Sequence, residues 1–172
     1  MAVQNPPLVA YRRPPNLKSL LVRAAFRNPL PSYRGNSQCG QPRCKTCQHI
    51  KPVDRFKSSA TGKDYRVKAT ANCKTTNIVY VIECNKCKLQ YVGETENALH
   101  IRINGHRSDI KNRRLEKPVA KHFNLSNHSL KDLFIFVIEK IHRDDAGFRK
   151  AKESYWIQTL RSLTPEGLNL DP

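Results

Sequence analysis

Two short runs of β-branched and aromatic residues, Ile78-Val79-Tyr80-Val81-Ile82 and Leu89-Gln90-Tyr91-Val92, are separated only by Glu83 to Lys88. Runs of this composition make strands. A link this short favours an antiparallel hairpin. It also carries Cys84-Asn85-Lys86-Cys87, so a C-x-x-C pair sits in the turn. Gly93 reads as the end of the second strand. Ala98 to Asn112 then reads as a helix, with Leu99, Ile103 and Ile110 on one stripe. Pro118 suits the start of a second helix through Phe123. Leu133 to Ile141 is a third strand, apolar enough to be central. Asp144 is expected to cap a last helix that runs to Leu163, before Pro165 and Gly167 stop it. The order β-β-α-α-β-α implies a small α+β domain.

Upstream of this domain the texture is different. Residues 1–38 are rich in Pro, Arg and Asn and read as a basic tail, with one short helix expected over Leu17–Phe26. Residues 39–73 hold Cys39, Cys44, Cys47 and Cys73 in polar, Lys-rich filler. Large apolar residues are too few there for folding on burial alone, so a metal is expected to supply what the core lacks. Residues 1–75 carry 15 Lys/Arg against two acids, whereas residues 76–172 carry 16 against 12. A front half this basic suits a polyanion, most commonly nucleic acid. A solvated tail, a ribosomal segment and a membrane-surface segment share that charge. No run approaches the ~18 apolar residues of a membrane span, and prolines at 6, 7, 14 and 15 leave no secretory apolar region.

Several residues form chemical constellations. Tyr80 and Tyr91 lie on paired strands, where two phenols can share one face; the plain alternative is ordinary sheet packing. Gly93 follows, where a bulky side chain would block a ligand. Arg102 and His106 are one helical turn apart at the rim of the apolar stripe. Arg there suits a phosphate oxygen and a phosphoryl transition state, and His a proton transfer. The alternative is a solvated helix edge. Glu153 shares a side with Trp156, Ile157 and Leu160. It needs either Arg149 as a partner or a divalent ion, for which hard oxygen ligands suit Mg2+ or Mn2+.

The cysteines suggest two zinc sites. C-x-x-C intervals without a secretory signal favour zinc over disulfides. Cys84 and Cys87 at the turn are expected to share an ion with His122 and His128, clamping the hairpin to the second helix in a closed structural site. The alternative is free thiols beside surface histidines. Cys39, Cys44, Cys47 and Cys73 make a candidate second site, with His49 a rival for the fourth place. In that basic setting Arg43, Lys45 and Lys51 would dock on DNA phosphates.

The phrases VYVIECNKCKLQYVGET, LHIRINGHRSDI, PVAKHF, ESYWI and PEGLN occur in order across residues 76–169. Together they resemble the GIY-YIG nuclease pattern, and more narrowly the endonuclease domain of Penelope-like retroelements. The resemblance implies a three-stranded, mostly antiparallel sheet flanked by helices over residues 74–172. It implies a metal-dependent DNA endonuclease. Tyr80 and Tyr91 would sit beside the attacked phosphate, one helping to deprotonate the attacking water. Arg102 would stabilise charge on phosphorus, and His106 would move a proton or grip the phosphate. Glu153 would hold the divalent metal behind the leaving 3′ oxygen, and Asn169 would support. Cysteines between the two tyrosine motifs also match that family's metal site. Ile78 and Val79 stand where the motif has Gly and Ile, and Penelope-like members also tend to have an apolar residue there.

DNA is the expected partner, nuclear the expected location, and a reverse transcriptase or element RNA a candidate companion. The chain has no room for a reverse transcriptase. It reads as a truncated copy, a fragment, or a host protein that kept the nuclease. The competing reading from another class is a zinc-stabilised nucleic-acid-binding module without catalysis. A small chromatin or RNP structural protein explains the charge but not the ordered motifs.

Overall fold

In chain order the elements are β1 (Arg55–Lys57), β2 (Asp64–Arg66), β3 (Ile78–Cys84), β4 (Gln90–Thr95), α1 (Leu99–Lys111), α2 (Pro118–Phe123), β5 (Leu133–Lys140) and α3 (Ala146–Leu160). This computed structural model describes residues 35–143 and 145–170. The helix expected over Leu17–Phe26 and the cap expected at Asp144 lie outside the described residues.

All seven residues of β3 are buried, which fits a strand covered on both faces. It runs antiparallel to β4 on one side and to β5 on the other, in the order β4-β3-β5. The apolar run of β5 suggested a central strand, but the centre belongs to β3. The segment before the domain explains why β5 is nevertheless apolar throughout. Lys51 N donates to Ile135 O at 2.9 Å and Lys68 N to Ile138 O at 2.8 Å. The Asn36 side chain exchanges two bonds with Val137, its Nδ2 to the carbonyl at 3.0 Å and the Val137 N–H to its Oδ1 at 2.7 Å. The Cys-rich segment thus straps the outer edge of β5 and satisfies backbone groups that an open edge leaves free.

The same segment shares the core. Ile50, Phe56, Val67, Ala69, Ala71 and Cys73 are buried with the sheet residues. Phe56, from the small β1–β2 hairpin, lies 5.0 Å from the Phe136 ring and 6.1 Å from Trp156 of α3. The described residues, 35–143 and 145–170, accordingly belong to one compact unit.

Two element ends differ from expectation. Gly93 does not end the second strand. It lies inside β4, opposite Tyr80, and the strand continues to Thr95. A Cβ at Gly93 would stand 2.6 Å from Tyr80 Oη and 2.9 Å from Tyr91 Cε1. The glycine therefore makes room for the tyrosine rings rather than for a ligand. The last helix is capped by Asp145, whose side chain accepts from Phe148 N at 3.1 Å. It stops at Leu160, because Arg161 turns left-handed at φ 50°. The chain then folds back, and Asn169 pairs with Leu163. Among the described residues no helix is long and apolar enough to cross a membrane.

Candidate active site

The hairpin register places Gly93 opposite Tyr80 and Tyr91 opposite Ile82. Side chains two positions apart on a strand share a face, so Tyr91 lies diagonally beside Tyr80. From α1, one turn apart, come the two residues that meet them. Arg102 Nε donates to Tyr80 Oη at 2.9 Å, and His106 Nε2 lies 2.7 Å from the same oxygen. A phenol oxygen can accept from the guanidinium while donating its own hydrogen to a neutral imidazole. The Arg102 charge also acts on the Tyr91 phenol and opposes the effect of its burial. The His106 ring stands edge-on to both tyrosine rings, 6.0 and 5.7 Å away.

Burial sets the protonation of this group. Tyr80 is fully buried, and burial pushes its phenol well above the ordinary range against the opposing pull of Arg102. Tyr91 is shifted the same way for the same reason. Burial, then the Arg102 charge, then Lys117, push His106 down to about 3. The imidazole is therefore neutral through the working pH range, and its Nε2 can accept the Tyr80 hydroxyl.

A stability prediction follows for His106. In the unfolded chain its imidazole charges near pH 6.5, while in the folded chain it resists the proton until about 3. Its neutral burial thus costs nothing above pH 6.5, and stability is lost as pH falls from there towards 3. One proton sets a slope of about 1.4 kcal/mol per pH unit. Thermal melts of wild type and His106→Gln between pH 7 and 4 should diverge in slope by about that amount. Parallel slopes would mean that this imidazole is not held neutral.

Tyr91, Arg102, His106, Asp109, Lys117 and Pro118 line a cleft of about 230 Å³. Tyr80 stands behind it, joined to it through Arg102 and His106. From α3, Glu153 approaches the same group and is half-buried. Its Oε1 accepts from Glu94 N at 3.1 Å. Burial, then the Glu94 charge, raise its carboxyl above the usual range. Its own charge is in turn felt by Tyr80 and Tyr91, which it pushes further up. Arg149, the partner that one helical turn offers, is engaged by Glu94 at 2.5 Å and Glu96 at 3.1 Å, with Asn77 at 3.1 Å. A carboxylate that burial and a like charge disfavour, with one oxygen fixed by a backbone amide, suits a divalent cation. Asn169 takes no place in the cleft. It clamps β4 beside Tyr91, donating to Val92 O at 2.8 Å and accepting from Val92 N at 2.9 Å and Ser162 Oγ at 2.8 Å.

Both cysteine groupings come together in space. In Cys84, Cys87, His122 and His128 the ligand atoms all lie within 4.8 Å of one another, as they do in Cys39, Cys44, Cys47 and Cys73. His49 does not join the second set, because its ring bonds Leu133 O at 3.0 Å and Gln48 at 3.0 Å. Both ring nitrogens of His128 are buried without a hydrogen-bond partner, and a metal bond would satisfy one of them. Burial pushes the Cys44 thiol up, but the Thr46 backbone and the Cys73 and Cys39 thiols outweigh it and bring Cys44 down to about 7. A set of four thiol and imidazole donors of this kind fits zinc. Lys51, expected on phosphate, instead pairs with Glu83 at 2.8 Å.

The family model of the GIY-YIG catalytic domain matches residues 76–169, more than half of the chain and the whole of this assembly from β3 to Asn169. The chain belongs to the GIY-YIG family. Within the matched residues Tyr80 lies on β3 and Tyr91-Val92-Gly93 on β4, and the Cys39–Cys73 cluster precedes this nuclease domain. Among solved structures, the catalytic domain of the homing endonuclease I-TevI is similar, with a TM-score of 0.46 and 20% identity. The match covers 55% of this chain and 97% of that domain. No curated protein matches the chain.

Asp109 and Lys117 were not singled out from the sequence. Asp109 lies three positions after His106, and Lys117 directly precedes the helix-starting Pro118; both spacings place them on the cleft, but neither is distinctive alone. Glu94 was also missed. Its signal was adjacency to Gly93, and its role emerges only through the contact with α3.

Proposed function

We propose that the chain is a metal-dependent DNA endonuclease that hydrolyses phosphodiester bonds. The observation that carries this reading is the phenol of Tyr80 held between Arg102 and His106 at 2.9 and 2.7 Å, with Glu153 within electrostatic reach.

A scissile phosphate entering the cleft competes for the Arg102 guanidinium, whose fork matches phosphate oxygens. As Arg102 turns to the phosphate it uncovers the Tyr80 oxygen. Attacking water then passes a proton to that oxygen while Tyr80 passes its own to His106 Nε2. The negative phosphate nearby favours the imidazolium so formed. Phosphorus gains the water oxygen and loses the 3′ oxygen, and Arg102 offsets the charge that builds on the equatorial oxygens. Tyr91 faces the cleft and orients the phosphate. Glu153 is the residue that would hold Mg2+ or Mn2+, which supplies charge neutralisation at the leaving oxygen. Zinc at the two Cys-containing clusters is structural, since protein fills all four positions of each.

The ordered phrases across residues 76–169 support an origin in a Penelope-like retroelement, and the meeting of Cys84-x-x-Cys87 with His122 and His128 adds to it. A nuclear location follows from a DNA substrate and the basic front half. A reverse transcriptase or element RNA is the natural companion in that setting. The test is nicking of supercoiled plasmid by purified, zinc-loaded protein with Mg2+ or Mn2+. Nicking that EDTA stops supports the reading. No nicking across divalent metals by a folded chain that binds DNA would replace it with the binding-module reading.

A further inference from the structure

α1 separates two clefts. Arg102, His106 and Asp109 face the catalytic cleft from one flank, while Leu99, Ile103 and Ile110 are buried in the core. On its other flank a larger groove, about 760 Å³, runs between α1 and the loop of the Cys39–Cys73 cluster. Its charged lining is Arg43, Lys45, Lys74, Arg107 and Lys111, and no acid lines it. In folded proteins exposed cations usually alternate with acids, so five in one concave surface focus a strongly positive potential. Two buried polar atoms of the lining residues also lack partners, Arg107 Nε and Thr46 Oγ1. Buried groups of this kind are normally paired, so they point to an absent acceptor and donor-acceptor partner.

The cations are positioned by the metal cluster rather than scattered. Arg43 and Lys45 flank Cys44, and Lys74 follows Cys73. The Cys73 carbonyl accepts from both the N–H and the Nδ1 of His100, each at 2.9 Å, which ties the cluster to the first turn of α1. An α-helix with its side chains is ~10–12 Å across. The groove therefore lies about one helix width from the phosphate-binding flank, a distance that a few nucleotides of backbone span.

The geometry points to a second phosphate-backbone site in this groove, which holds the DNA duplex beside the bond to be cut. The inference rests on the endonuclease reading and adds where the substrate is gripped. The groove reads phosphate and not sequence, because its charged side chains offer charge to a backbone and its place on α1 is set by the cluster. Arg107 holds one terminal nitrogen on Asn104 at 3.2 Å, which places its guanidinium on the groove wall.

The experiment is fluorescence anisotropy of a labelled DNA duplex over a salt series without divalent metal, using the full zinc-loaded chain. The variant is Arg43→Gln/Lys45→Gln/Lys111→Gln, whose positions are all exposed. The control is Arg55→Gln/Arg66→Gln/Lys140→Gln, exposed residues elsewhere. For the groove variant, the slope of log affinity on log salt should become shallower by roughly 0.9 per contact removed, with affinity at physiological salt lower by on the order of tenfold. Zinc content and melting temperature should match wild type. Equal losses in the control would overturn the proposal in favour of diffuse charge, as would an unchanged slope in the groove variant. Loss of affinity for duplex RNA with DNA affinity intact would overturn it in favour of RNA. A chain that binds through the groove and never cuts sinks the endonuclease reading alone. A chain whose groove variant keeps the wild-type slope while wild type cuts sinks the groove alone.

Discussion

Glu153→Ala is expected to slow plasmid nicking on the order of 10³-fold, equivalent to about 4 kcal/mol of barrier, with DNA affinity kept or slightly raised. The carboxylate is half-buried, and its Oε1 is fixed by Glu94 N. Burial and the Glu94 charge make its ionised form costly, so the site gains little from Glu153 unless a cation or phosphate chemistry uses it. Removing it relieves that cost. The variant should therefore melt no lower than wild type, which separates a lost catalytic group from a lost fold. Arg102→Ala is expected to cost on the order of 10²- to 10³-fold, as removal of one preorganised donor does. Arg102→Lys should rescue little, because an ammonium lacks the fork that engages Tyr80 and a phosphate together. Paired measurements of single-turnover cutting and anisotropy decide the matter. Glu153→Ala cutting at the wild-type rate would remove the metal from the proposed chemistry. Loss of binding in step with cutting would make Glu153 a structural residue.

The parts of this site that could be read along the chain are those set by local period. Tyr80 and Tyr91 announce themselves as β-formers on two runs joined by a short link. Arg102 and His106 share a helix face by their four-residue spacing. The two C-x-x-C pairs and their distant fourth ligands could be matched because metal chemistry demands few residue types. What could not be read depends on contacts between elements. Gly93 has the local signature of a strand end, but the Tyr80 ring across the hairpin turns it into an interior position. β5 has the composition of a central strand, and only the strap through Asn36, Lys51 and Lys68 shows why an outer strand needs it. Arg149 sits one helical turn from Glu153, yet Glu94 and Glu96 claim it from β4 and the residues after it. The short β1–β2 hairpin is hidden for a related reason. Its strands are three residues each, and Phe56 alone anchors β1 in the core.

Loss of the Cys39–Cys73 metal is expected to expose β5. Cys73 is fully buried, and its carbonyl satisfies the start of α1. The cluster also brackets the Lys51 to Lys68 part of the strap, at Cys39 to Cys47 before it and at Cys73 after it, and Asn36 lies three residues before Cys39. A structural zinc site contributes several kcal/mol to folding. In a chain of this size each kcal/mol shifts the melting temperature by about 2–4 °C. With zinc in both clusters, as proposed, Cys73→Ser should thus lower zinc from two to one per chain, and lower the melting temperature on the order of 10 °C. It should also raise hydrogen exchange at Val137 N, whose partner is Asn36. Aggregation should follow, since an uncovered apolar edge strand pairs with other chains. Cys87→Ser makes the contrast. It also removes one zinc, but its cluster joins the hairpin turn to α2 and leaves the strap intact. Its exchange should rise at the turn around Cys84 to Lys88, with Val137 still protected. If both variants opened the same amides, the two clusters would be parts of one cooperative support rather than separate clamps. If neither lowered the zinc content, the clusters would be thiol and imidazole groupings without a resident ion, and packing of Phe56 against Phe136 and Trp156 would have to hold the strap on its own.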